Sequence, residues 1–300
     1  MNIQGEQLFQ KPAFIEKPYA WVQHIPFANY LIEVLKPDTF VELGTHSGNS
    51  YFAFCQAVNN LNINTKCYAI DTWEGDDHAG FYGNDVFQRI NQINEENFKQ
   101  FSVLMRMTFD EGQQYFNDKT IDLLHIDGLH TYEAVKHDFE TWLPKMSEKG
   151  VVIFHDTNVK EREFGVWQLF EELEKKYTTF QFIHGYGLGV VCTGKTINPE
   201  FIEFVKEAQA KPQVQNLFAT LGDRVLVKQE KHDLNFKYKE SLTKISELNN
   251  IIRKQNKVIA DLEPLKLQIE NQKNLNDEIR EKLNDKEQEV KSLATHIRKS

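Results

Sequence analysis

The chain has 300 residues, 40% of them hydrophobic, with a formal net charge of −9, enough apolar material for one sizeable core and a second element. The acidic balance excludes a protein that grips a phosphate backbone, which needs a basic stripe, so no nucleic-acid partner is expected. Cys55, Cys67 and Cys192 are odd in number and lack metal-ligand spacing, which indicates reduced structural thiols and a cytoplasmic setting.

The start, "MNIQGEQLFQ", has no basic segment leading into an apolar one, and no run of about 18 apolar residues occurs, so neither a signal peptide nor a membrane span is expected. "YAWVQHIPFANYLIEVLKP" reads as one or two lead-in helices that stop before Pro37. Six short, nearly continuous apolar runs follow: "TFVELG", "KCYAIDTW", "FSVLMRM", "IDLLHIDG", "GVVIFHD" and "GLGVVCTG". Such runs mark strands buried on both faces. Between them lie "SYFAFCQAVNNL", "VFQRINQINEENFKQ", "TYEAVKHDFETWLPKM" and "FGVWQLFEELEKKY", with apolar residues three and four apart. The order is βαβα, so residues 1–195 are expected to form an α/β domain with a mostly parallel, doubly wound Rossmann-like sheet and helices on both faces.

Residues 196–228 read as a helical joint, and from residue 229 the aromatics almost vanish. A seven-residue register then places Leu248, Gln255, Leu262, Ile269, Asn276, Leu283, Val290 and Ile297 at one core position. Ile251, Val258, Leu265, Gln272, Ile279, Lys286 and Leu293 occupy the other. Eleven of these fifteen are apolar, which predicts a coiled coil over residues 229–300. Its polar seam residues fix register and strand number, and Pro264 predicts a kink or a fresh helix start. The repeat still runs at Ser300, so the natural protein is expected to continue.

The turn Glu42-Leu43-Gly44-Thr45-His46-Ser47-Gly48 follows the first strand. Its glycines permit close backbone approach, but the spacing is neither a dinucleotide fingerprint nor a phosphate loop. An acid in the turn suits a cationic group, and Asp71, ending the next strand, stands where a carboxylate reaches ribose hydroxyls. Together they point to a nucleoside carrying positive charge. In "HIDGLH", Asp127 ends a buried strand and His130 follows three residues on, so carboxylate and imidazole share one mouth of the cleft. Transfer to a hydroxyl needs a base or a metal that acidifies the alcohol. His130 suits the first role, and Asp127 with Asp156 of "FHDT" could supply oxygen ligands to Mg²⁺ or a similar hard cation.

"VELGTHSGNS", "AIDTWEGD", "LLHIDGLHTYEAVKHDFETW" and "GVVIFHDT" resemble, in that order, the class I S-adenosylmethionine-dependent methyltransferases. The similarity runs over about residues 20–195. It is greatest to the branch with sugar and macrolide-sugar O-methyltransferases and cephalosporin-hydroxylase-like proteins. The resemblance implies that Glu42, Gly44 and Gly48, with His46 and Ser47 in the same turn, hold the methionine moiety. It implies further that Asp71 holds the ribose with Trp73 close by, and that Thr108 to Asp110 contact the adenine. Asp127 would touch cofactor and metal, and His130 would be the base. The chain departs from the pattern at His155-Asp156, where the family has an acidic pair. His155 is therefore a weaker ligand, a hydrogen-bond partner or the base itself.

Glu133, His137 and Asp138 fall on a helix where charges are usually solvated. His24 either closes over the cofactor or sits in the core, and Tyr186 either borders the acceptor pocket or covers the sheet edge. "EGDDHAGFYGNDVF" reads as a polar, aromatic lid suited to a sugar. The expected activity is O-methylation of a saccharide, such as a growing bacterial surface polysaccharide. The coiled coil would act as spacer and as a dimer or trimer seam. Further domains or a glycosyltransferase partner, the latter holding the protein beside the inner membrane, complete the expectation. A natural-product acceptor and a catalytically silent scaffold are the competing readings.

Overall fold

The computed structural model describes residues 6–76 and 80–297. Two compact units result, Met1–Lys231 and His232–Ser300.

The first unit is built on seven strands: β1 (Thr39–Leu43), β2 (Lys66–Asp71), β3 (Ser102–Arg106), β4 (Ile121–Ile126), β5 (Met146–His155), β6 (Thr178–Phe182) and β7 (Leu188–Cys192). They lie in the order β3-β2-β1-β4-β5-β7-β6. The first five run parallel, while β7 is antiparallel to both β5 and β6. The parallel strands are the continuous apolar runs of the sequence, and the burial of every residue of β4 shows why they do not alternate. β6 was not anticipated. Its "TTFQF" alternates weakly and follows directly on a charged helix end, so its signal is short and local, whereas its pairing with β7 is what makes it a strand.

Helices α1 (Ile25–Leu35), α2 (Asn49–Leu61), α3 (Asn84–Asn97), α4 (Tyr132–Trp142), α5 (Val166–Leu173) and α6 (Pro199–Ala210) cover the sheet. One core layer joins α1, α2 and α6 to Phe40, Leu123 and Ile153, and includes Val214, Phe218 and Leu221 from the start of the last helix. The opposite layer joins Val135, Phe139 and Trp142 of α4 to Leu169 and Phe170 of α5. α1 begins with Pro26 in its first turn and ends at Lys36 in a left-handed conformation before Pro37, as the punctuation predicted. All three cysteines are buried thiols.

The last helix, α7, runs from Pro212 to Ile297 without restarting at Pro264, contrary to a fresh start there. Proline removes one backbone donor, a local loss of about 3 kcal/mol, which neighbouring turns can absorb. From residue 234 through 294 its side chains are exposed on every face. Among the described residues, no helix is long and apolar enough to cross a membrane. In the expected lid, Gly75–Asp76 pairs with Gly80–Phe81 as a two-residue antiparallel ladder, and residues 77–79 lie outside the described residues.

Candidate functional site

The carboxyl ends of β1, β2, β4 and β5 bring the predicted residues to one edge of the sheet. After β1 the chain turns at Gly44 with φ 85°, and its N–H donates to the Ile70 carbonyl at 3.0 Å. A Cβ there would stand 2.1 Å from the Asp127 carbonyl oxygen. The glycine is therefore required first by the approach of β4 to the turn. Gly48, at φ 81°, precedes α2, and its missing Cβ leaves room for Phe52 and Ile90.

Asp71 organises this turn. Its Oδ2 accepts the N–H groups of Thr45 at 2.8 Å and His46 at 2.9 Å, and its Oδ1 accepts the Trp73 N–H at 2.7 Å. Three of the carboxylate's roughly four acceptor positions are thus spent on backbone, and His46 can hold φ 46° because both sides of its peptide are tied. Trp73 is 0% exposed and donates its indole N–H to the His46 carbonyl at 3.2 Å. Trp73 thus stands close by Asp71, as expected, with its buried ring tied to the turn. The His46 ring lies 4.7 Å from that of Tyr82, and Ser47 is buried, accepting from Asn49 Nδ2 at 3.3 Å.

Glu42 is also 0% exposed, so it has no surface to offer the methionine end of a cofactor. Its Oε2 lies 2.8 Å from His125 Nδ1, and Trp21 Nε1 donates to His125 Nε2 at 3.2 Å. The indole can only donate, so His125 carries its proton on Nδ1 and gives it to Glu42. Burial pushes the Glu42 carboxyl up, and this contact opposes the rise. Sequence reasoning missed His125 and Trp21. The available signal was a histidine inside an otherwise apolar strand.

The chemical centre is Asp127, His130, His155 and Asp156. His130 Nε2 lies 2.9 Å from Asp156 Oδ2 and 3.5 Å from Asp127 Oδ1. Its ring stacks on Phe164 with centroids 4.5 Å apart and planes 9° from parallel. His155 Nε2 faces the Gly185 carbonyl at 3.1 Å, and its Nδ1 stands 3.4 Å from both Asp127 Oδ1 and Asp156 Oδ2. With acceptors before both nitrogens, the ring is an imidazolium. Burial works against that charge, but Asp127 and Asp156 outweigh it and raise its pKa. The same contest leaves His130 pushed up to about 9. In return, against burial, His155 and His130 hold Asp127 well below the carboxylate range and Asp156 at about 2. Two carboxylates and two imidazolium rings thus neutralise one another. Asp156 does this at φ 59°, a left-handed strain that turns its carboxylate back to the cluster.

These groups do not fit Mg²⁺. Asp127, His130 and Asp156 converge closely enough to hold a metal ion, but Mg²⁺ demands an octahedron of oxygens. Here two imidazole nitrogens face the carboxylates, so the donor set mixes nitrogen with oxygen. His155 meets the Gly185 carbonyl through Nε2 and both carboxylates through Nδ1.

The remaining candidates fall outside this cluster. His24 is buried, and its Nε2 meets the same Gly185 carbonyl at 2.9 Å. Burial, then His155, lowers its pKa, so it is a neutral core histidine behind the site. Asp110 is exposed on the short helix Phe109–Gly112 and pairs with exposed His137 at 2.8 Å, while Thr108 forms a capping box with Glu111. Glu133 is exposed, whereas Asp138 is buried near Gly128 and its carboxyl is pushed up by burial to about 7. Tyr186, at φ 67° between two glycines also in left-handed conformations, is 56% exposed beside the Gly185 carbonyl.

Residues 41–157 match a family described as a methyltransferase domain. The uncharacterized protein y4gI of Sinorhizobium fredii is 47% identical over 187 residues, 62% of this chain and 20% of that protein. This chain thus spans about a fifth of the length of the curated relative it matches. Solved structures are similar at lower identity. A putative caffeoyl-CoA O-methyltransferase from Staphylococcus aureus is 19% identical with a TM-score of 0.47, over 60% of this chain and 85% of that one. The O-methyltransferase TomG from Streptomyces achromogenes, involved in tomaymycin synthesis and bound to S-adenosylmethionine, is 13% identical with a TM-score of 0.43, over 60% and 82%. The strand order and the family match together make the first unit a Rossmann-like methyltransferase fold.

Proposed function

On a chain whose residues 41–157 match a methyltransferase domain, we propose an S-adenosylmethionine-dependent O-methyltransferase acting on a sugar hydroxyl. The observation that carries the reading is the meeting of His130 with Asp127 and Asp156 at the sheet edge that also holds the Asp71-braced glycine turn. Carboxylates beside an open turn favour a ligand with sulfonium and ammonium charges, and Asp127 keeps part of its side chain exposed. Such a donor supplies an already activated methyl group when bound.

The chain's own residues then have three tasks. The turn from Gly44 to Gly48 positions the donor, and the remaining acceptor capacity of Asp71 is available to a hydroxyl. His130 takes the acceptor's proton on Nε2 as the new O–CH₃ bond forms and the S–CH₃ bond breaks in line, most of the acceleration coming from placement. Because His130 begins as an imidazolium, it acts only after losing its proton, and a bound cation beside Asp127 lowers its pKa in that direction. His155 keeps Asp127 and Asp156 in place without joining the transfer.

A saccharide acceptor is supported by the mixed polar and aromatic rim, with Tyr186 and Phe81 both largely exposed. The seam of α7 supports association of copies through a coiled coil. The test is calorimetric titration of the full chain with S-adenosylhomocysteine, followed by methyl-labelled donor with oligosaccharide acceptors. Binding, and label in the saccharide lost in His130→Ala while binding persists, is the expected result. No binding by the intact chain would favour a silent scaffold, and label only in non-sugar hydroxyls a natural-product enzyme.

A further inference from the structure

Within the proposed self-association, and resting on it, we infer that residues 248–297 pair with a second copy of this chain in parallel and in register. The seam is uncovered: its apolar residues from Leu248 to Leu293 are 50–70% exposed. Repeated every seven residues, such a stripe is buried when like helices wrap together.

The polar residues of the seam select the orientation. In a parallel, in-register pair Gln255, Gln272 and Asn276 each face their own counterpart, and an amide is donor and acceptor at once, so it satisfies itself. Antiparallel alignments do not pair them all: with Leu248 opposite Leu293, Asn276 lies opposite Leu265 and Gln272 opposite Ile269, and one heptad along, where Asn276 faces Gln272, both copies of Gln255 lie opposite Leu293. Each amide so placed is buried against a branched aliphatic chain without a polar partner. The amides share one stripe, as the 3.5 Å approach of Gln272 Nε2 to Asn276 Oδ1 within one helix shows.

The flanking charges agree. Parallel pairing sets Asp261 beside Lys266 of the counterpart and Lys282 beside Glu287, and places no like charges together at these flanks. Antiparallel pairing brings Lys266, Lys273 and Arg280 of one edge against the same three residues. Lys286, which meets itself in the parallel seam, is the one opposing contact, and its long stem lets the ammonium reach solvent. Pro264 falls on the outward side between Leu262 and Leu265, where it leaves the seam intact.

Cross-linking decides the matter on the full-length protein, because Cys55, Cys67 and Cys192 are buried and a single engineered thiol reports alone. Asn276→Cys is expected to form a disulfide-linked dimer under mild oxidation, and Leu283→Cys to do the same should the first variant fold poorly. A tagged Asn276→Cys chain reassembled with untagged Leu265→Cys is expected to yield no mixed species. A mixed species, or a monomer by light scattering, overturns the inference. Titration of the same samples with S-adenosylhomocysteine reads the methyltransferase unit separately, so failure of one reading is distinguished from failure of the other.

Discussion

Asp71 Oδ2 accepts the backbone N–H of Thr45 at 2.8 Å, across 26 residues of chain. With the bonds to His46 and Trp73, this makes the acid a brace for the glycine turn before it is anything for a ligand. Asp71→Ala removes three charge-assisted bonds, each of order 1.5–3 kcal/mol. A marked drop in the ligand-free melting temperature is expected together with lost S-adenosylhomocysteine binding. An unchanged melting temperature with lost binding would show instead that the carboxylate serves the ligand alone.

His130 governs the pH response of the proposed reaction. Its pKa, about 9 between Asp127 and Asp156, means that a base must be uncovered as pH rises, so kcat/KM is expected to climb through the neutral range toward pH 9. The rate profile reports the free enzyme. His130→Gln should flatten the ascending limb. A wild-type profile that falls over pH 7–9 would remove His130 from the role of base.

His155 Nδ1 stands 3.4 Å from an oxygen of both Asp127 and Asp156. Neither chelator nor Mg²⁺ is expected to change wild-type activity. His155→Asn leaves His130 as the cation between Asp127 and Asp156, and removing one partner of a largely buried ion pair costs up to about 3–5 kcal/mol. Added Mg²⁺ should recover part of that stability in the variant. Because the folded pKa of His155 is raised, its contribution is present at low pH and lost as pH rises through that value. The gap in melting temperature between wild type and variant should therefore close under strongly alkaline conditions.

Asp138 shares the direction of this pH dependence, but its charged form is a penalty rather than a contribution. Burial raises its carboxyl to about 7, so between pH 4 and 7 the folded chain binds more protons than the unfolded one and stability falls as pH rises. The penalty reaches at most about 4 kcal/mol above pH 7. Asp138→Asn is expected to raise the melting temperature at pH 8 and to change it little at pH 4. Equal effects at both values would mean that the carboxyl ionises freely.

Much of this organisation was legible because its signals are local. The five parallel strands announce themselves as apolar runs, since both their faces are covered. Gly44 and Gly48 mark a turn that needs left-handed backbone, and the heptad of α7 is a property of spacing alone. The gathering of Asp127, His130, His155 and Asp156 was also expected, because strand ends in a parallel sheet share one edge.

Which acid answers which base was decided only by the tertiary structure. Nothing near Glu42 in sequence points to His125, 83 residues away, and nothing near Asp71 shows that its acceptors are filled by backbone N–H groups. His24 and His155 reach one carbonyl, that of Gly185, from 161 and 30 residues distant, yet burial lowers the pKa of the first ring while Asp127 and Asp156 raise that of the second. A residue type and its spacing fix an element and its edge. Charge and hydrogen-bond partner depend on desolvation and on distances of a few ångströms, which exist only once the sheet has brought remote strands together.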